Sequence, residues 1–246
     1  MSPQFEPPCR KPARYHGEST LLGLTSRLRY PRYFLDFETV SSPVPLCAGV
    51  RPYQQVPFQW SCHAESDAGK LRHQEFLDVS GNFPVEEFAR SMLASVGSVG
   101  AILVYNASFE ASRIRELAQL LPEQRTQLTA LLARLVDLLP LVRKSYYHPA
   151  MKGSYSIKAV VPTLCAALDY ANFDDVADGG AAQRAWWEVA DPACNDERAR
   201  EIRASLLRYC KADTLAMVVV LRYLASGNPL KLDDLGHIET TASIVR

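Results

Sequence analysis

Two acids share one face of an otherwise aromatic and apolar strand. In Tyr33-Phe34-Leu35-Asp36-Phe37-Glu38 side chains alternate with period two, so Asp36 and Glu38 point the same way. A buried carboxylate without a partner is expensive, and each one needs a cation, a set of donors or a solvent-filled cleft. The same misplacement recurs at Glu110, in Asn106-Ala107-Ser108-Phe109-Glu110 after a short apolar run. It recurs again at Asp213, inside the helical stripe of Ile202, Leu206, Tyr209, Met217, Val220 and Leu224. One shared site for divalent metals at the end of a sheet would supply counter-charge to all four.

The surrounding pattern predicts an α/β fold. Val56 to Glu65 alternates Phe58, Trp60 and Cys62 with polar residues, and an Asp67-Ala68-Gly69 turn leads into Leu71 to Val79, as in an antiparallel hairpin. Helices are expected over Pro84 to Val96, Phe109 to Leu121 and Pro122 to Leu135, with a buried strand at Ala101 to Tyr105. A shorter helix opens at Gly179-Gly180 and runs through Trp187. A long one, capped by Asp196, runs to about Leu224 and stops before Gly227 and Pro229. Strands first, then a strand between helices, give a mixed sheet with helices on its faces.

Asp-x-Glu alone carries nothing, since 13 Asp and 14 Glu make about 0.7 matches expected by chance. Joined in this order with an Asn-x-x-aromatic-acid run and a Tyr-x-x-x-Asp helix segment, the expectation falls to roughly 0.02. Tyr170 and Asp174 repeat the last spacing, but in a polar, turn-like run, whereas Tyr209 and Asp213 share one helix face.

Asp36-Phe37-Glu38-Thr39, Asn106 to Glu110 and Tyr209 to Asp213 resemble the three motifs of the DEDD 3′–5′ exonucleases, in their tyrosine branch, within the ribonuclease H-like superfamily. Val56 to Ser61 and Gly153 to Lys158 further resemble an uncharacterised bacterial family of that superfamily, some of whose members look like fusions to a RecB-like nuclease. The resemblance spans about Tyr33 to Leu224 and departs at Glu110, where the general pattern has Asp. It implies a mixed five-stranded sheet with helices on both faces and two-metal hydrolysis at a DNA or RNA 3′ end. Asp36 would bridge two Mg²⁺ or Mn²⁺ ions, Glu38 and Asp213 would complete the coordination of the first ion, and Glu110 would support the second directly or through water. Hard oxygen donors suit these ions. Tyr209, with an ordinary pKa near 10, would orient the attacking water rather than serve as the main base. Thr39 would face the terminal sugar, and Asn106 and Lys158 would contact substrate. The alternative is a nucleic-acid-binding or interaction module that keeps the fold and cleaves poorly or not at all.

Net charge is zero, with 27 basic and 27 acidic residues, so a nucleic acid must be held by a local patch. Arg143 to Lys158 is one candidate, with cations at 143, 144, 152 and 158, tyrosines at 146, 147 and 155, and no acid. Arg51, Pro52 and Tyr53 lie near the expected cleft. Asp137 is either a helix-end residue or an acid beside the metals, His63 and His148 read as ordinary polar contacts, and Trp186-Trp187 reads as burial under the last helix. Residues 1–30 read as a flexible basic arm, 31–226 as the exonuclease domain and 227–246 as a tail. The six cysteines contain no Cys-x-x-Cys pair, Met1 to Arg32 holds no apolar leader, and no run is long enough for a membrane span, so a cytoplasmic protein is expected.

Overall fold

The computed structural model describes residues 25–168, 176, 178–241 and 244–245. Its centre is strand β1 (Arg32–Val40), which pairs antiparallel with β2 (Val56–Glu65); β2 in turn pairs antiparallel with β3 (Leu71–Leu77). The hairpin turn falls where the sequence placed it, with the Gly69 N–H donating to the Ser66 carbonyl at 2.9 Å. On the other side of β1 lie β4 (Ala101–Val104) and β5 (Leu135–Asp137), both parallel to their neighbours.

Two short strands, β6 (Ile238–Thr240) and β7 (Ile244–Val245), pair parallel with β3, so among the described residues the mixed sheet has seven strands rather than five. Residues 227–246, expected as a tail, therefore contribute to the sheet edge. At the other end, the expected arm is tied down from residue 25: Arg32 Nη2 donates to the Thr25 carbonyl at 2.7 Å, and the Ala101 N–H to the Arg29 carbonyl at 3.0 Å. Residues 1–24 lie outside the described residues, as do Tyr170 and Asp174.

Alternation along β1 sorts its side chains between two cores. Tyr33, Leu35 and Phe37 pack with Trp60 and Phe76 under three helices, α1 (Val85–Val96), α2 (Ala107–Leu120) and α3 (Arg125–Leu132). Phe34 and Val40 face the opposite layer, with Phe58 and Leu77. That layer comprises α4 (Leu138–Ser145), the short α5 (Ile157–Val160), α6 (Gly179–Ala190) and α7 (Asp196–Ser226). Asp36 and Glu38 belong to this second face.

The 31-residue α7 lies across β1 and β2, and Gln59 Nε2 reaches from β2 to donate to the Leu206 carbonyl at 2.9 Å. Its cap is Asn195, one residue before the expected Asp196, accepting from the Arg198 N–H; it ends at Gly227 in the left-handed conformation, φ 70°. Trp186 is buried among Phe58 and Phe83 with its indole N–H on the Asp78 carbonyl, while Trp187 is 41% exposed.

Candidate metal centre

The cleft exists because β1 outruns β4. The two pair only over Arg32 to Phe34 against Ala101 to Leu103, after which the chain leaves β4 at Val104 and turns into α2. The turn is made at Asn106 with φ 83°, a left-handed conformation that Asn tolerates better than most residues. Asp36 and Glu38 thus project past the end of β4, at the carboxyl ends of the parallel strands, where open α/β sheets bind ligands. A pairing irregularity between Glu38 and Thr39 bends the strand just beyond them.

The resulting cleft, about 570 Å³, is lined by Asp36, Glu38, Asn106, Lys158, Tyr209 and Asp213, which are six of the eight residues singled out from the sequence. Asp137 fixes the cleft wall. Its carboxylate accepts from the N–H groups of Asn106, Ala107 and Leu139, each at 3.0 Å, and so closes the N-termini of α2 and α4 together. It is thus a helix-end residue, and it positions the segment that carries Glu110.

Glu110 lies one turn into α2. It is 2% exposed, and its Oε2 has no hydrogen-bond partner among the described residues. Thr39 is buried beyond the irregularity and is not part of the cleft lining, which leaves the expected contact with a sugar without geometric support.

Electrostatically the site is overloaded with negative charge. Burial, then Asp213, push the Asp36 carboxyl well above the ordinary range. Burial, then Asp36 and Asp213, do the same to Glu38, with the Lys158 ammonium acting in the opposite sense. Glu110 is raised by burial and by Asp36. The Tyr209 phenol is pushed up by burial and by the Asp213, Glu38 and Asp36 charges, which argues against its acting as a base. Lys158 Nζ donates to the Tyr209 hydroxyl at 2.5 Å. Asp36, Glu38 and Asp213 crowded in the cleft, with the buried Glu110 and its orphaned oxygen behind them, make a donor set suited to divalent cations.

The basic run divides. Arg143, Tyr155 and Lys158 line the cleft, and the Tyr105 hydroxyl holds the loop by donating to the Tyr155 carbonyl at 2.7 Å. Tyr146 is buried instead, its hydroxyl 2.8 Å from Thr163 Oγ1 and its ring against Tyr223. Arg51 and Tyr53 line a separate surface hollow with Arg113. His148 accepts from the Ala150 N–H, and His63 is buried on Thr214, both away from the cleft.

The sequence reasoning passed over Cys210. Among the described residues, its sulfur and one carboxylate oxygen each from Asp36 and Glu38 form a tight set, all within 4.8 Å of one another. The available signal was its position beside Tyr209 and three residues before Asp213, on the same helix face.

A family model described as a domain of unknown function (DUF2779) matches residues 33–156, which is 124 of the 246 residues. The chain belongs to this family. The matched stretch begins at β1 and takes in Asp36, Glu38, Asn106 and Glu110, while Lys158, Tyr209 and Asp213 lie beyond it. Similar proteins include an uncharacterized protein of Mycoplasma pneumoniae, 25% identical over 213 residues, covering 79% of this chain and 32% of the relative. A Mycoplasma genitalium counterpart is 24% identical over 218 residues (81% and 32%), and a Ureaplasma parvum protein is 25% identical over 153 residues (57% and 22%). The chain spans about a third of the length of the first two. No solved structure matches it. No helix among the described residues is long and apolar enough to cross a membrane.

Proposed function

We propose that this chain is a metal-dependent 3′–5′ exonuclease of ribonuclease H-like fold, acting on DNA or RNA. The observation that carries the reading is the meeting of Asp36, Glu38, Tyr209 and Asp213 in one cleft, from a strand and a helix far apart in sequence, with Glu110 behind them. The mixed sheet with helices on both faces supports it.

Asp36, Glu38, Asp213 and Glu110 would hold two Mg²⁺ or Mn²⁺ ions. Bound there, such ions would supply Lewis-acid stabilisation of the charge that develops on a phosphodiester under hydrolysis. The chain's own groups do the positioning. Lys158 holds the Tyr209 hydroxyl over the acids, so that the phenol can orient the water entering the phosphodiester. Arg143 in the cleft lining would attract the strand's phosphates, and Tyr155 would offer an aromatic face to a base. Asn106 sits where the cleft opens at the start of α2, its Oδ1 engaged by the Ser108 hydroxyl at 2.9 Å.

The test is digestion of DNA and RNA oligonucleotides labelled at the 5′ end, with Mg²⁺ or Mn²⁺, beside Asp213→Asn. The expected result is a ladder shortening from the 3′ end with release of mononucleotides, lost in the variant. Binding without cleavage in either metal would make the chain a binding module instead, and products of intermediate length without a ladder would indicate internal cutting.

A further inference from the structure

The thiol of Cys210 has no assignment in the hydrolytic scheme, yet it lies in the middle of the acids. Cys210 is fully buried on α7, and its sulfur is 3.7 Å from Asp36 Oδ2 and 3.9 Å from the Asp36 carbonyl oxygen. It belongs with Asp36 and Glu38 to the tight set of three donor atoms. Glu110 provides a separate observation that points to a cation ligand. Its buried Oε2 has no hydrogen-bond partner among the described residues, the Asp36 charge bears on it, and its own charge bears on Glu38.

We propose that Asp36, Glu38 and Cys210 form a mixed carboxylate and thiolate site that takes borderline-soft divalent ions, Zn²⁺ or Co²⁺, in preference to Mg²⁺. This rests on the reading of the acidic cluster as a cation site and adds the identity of the ion it favours.

Mg²⁺ wants an octahedron of oxygens and gains little from sulfur, whereas zinc readily combines thiolate with carboxylate. Spacing points the same way. With donor distances of about 2.3 Å for sulfur and 2.1 Å for oxygen, two donors of one tetrahedral zinc stand about 3.6 Å apart, against about 3.1 Å at a right angle. The Cys210 sulfur and Asp36 Oδ2 are already at 3.7 Å, aligned by the S–H···O contact. On binding, the thiol proton leaves to solvent and the sulfur takes the ion in its place, with no change of oxidation state. Zn²⁺ held this way occupies Asp36 and Glu38, so it competes with Mg²⁺ or Mn²⁺ and acts as an inhibitor of the proposed hydrolysis.

Co²⁺ titration of the full chain tests this, read by calorimetry and by the near-ultraviolet charge-transfer band that only a thiolate ligand gives. The expected result is a band that saturates at one ion per chain and disappears in Cys210→Ser, which still binds Co²⁺ at least about tenfold more weakly, its fold checked by circular dichroism. Cys210→Ala repeats the comparison with a smaller buried side chain. Uptake of Co²⁺ without the band, or a band that persists in both variants, would overturn the thiolate site and leave the carboxylate site standing. No uptake by the wild type would overturn both.

Discussion

The Lys158 ammonium reaches across from α5 to the Tyr209 hydroxyl on α7, 2.5 Å away, and the same charge opposes the upward shift of the Asp36 and Glu38 carboxyls. The pair is one device, with the cation fixing the phenol and both facing the acids. Lys158→Met and Tyr209→Phe should each lower kcat by about tenfold or more, and the double variant should be no slower than the worse single one, as residues acting as a unit behave. Single-turnover digestion of a labelled strand measures this. Multiplicative losses would show that the two act separately.

Asp137 ties the start of α2 to the start of α4 through three hydrogen bonds, and through them sets the path from Asn106 to Glu110. Asp137→Ala should cost roughly 2–4 kcal/mol, as the loss of a charged cap serving two helices would. Asp137→Asn, which keeps an acceptor oxygen, should cost less. Urea unfolding of the three proteins gives the order, and equal stability of wild type and Asp137→Ala would remove the carboxylate from this role.

His73 lies in a buried polar cluster between β3, β2 and Thr214 of α7, its Nε2 2.9 Å from Ser61 Oγ and 3.7 Å from Glu75 Oε2, with the His63 ring tilted beside it at 4.5 Å. Burial, then the Lys211 charge, lowers its pKa to about 3 from the ordinary 6.5. Between those values the unfolded chain holds the extra proton, so this part of the stability is complete above pH 6.5 and is lost as the pH falls. From pH 8 to pH 5 the loss is roughly 2 kcal/mol. His73→Gln does not titrate there, so whatever the stability gap between the two proteins at pH 8, it should move by that amount in the variant's favour at pH 5. A gap independent of pH would mean that the ring is not held neutral.

Much of the site was legible because its chemistry contradicts its surroundings. Acids on an apolar strand face and on an apolar helix stripe cannot be explained by packing, and Asp36, Glu38 and Asp213 do line one cleft. Regular patterns also transferred, as in the β2 and β3 hairpin. What escaped depended on tertiary geometry. β5 is three residues continuous in hydropathy with the helix before it, and only pairing with β4 marks it as a strand. The strands of the last residues lack a pattern of their own and owe their form to the open edge of β3. Thr39 was named through its place beside Glu38 in the motif, and the fold buries it outside the cleft lining, which a motif alone does not announce. Tyr146 sits in a run that looks solvated, yet it turns inward onto Tyr223. Cys210 was hidden by its own apolarity, since a cysteine in a buried stripe looks like core until its neighbours are known.

The central claim is that these acids are held together for divalent cations and not for stability. Thermal unfolding of the wild type and Asp36→Asn, each with and without Mn²⁺, tests it most directly. Without metal, Asp36→Asn should melt about 2–6 °C higher, because it removes a half-buried carboxylate repelled by Asp213. Mn²⁺ at about 100 times its Kd should raise the wild-type Tm by about 5–10 °C and leave the variant nearly unmoved. A wild type indifferent to Mn²⁺, with Asp36→Asn melting lower than it, would contradict the account and make the cluster a structural one.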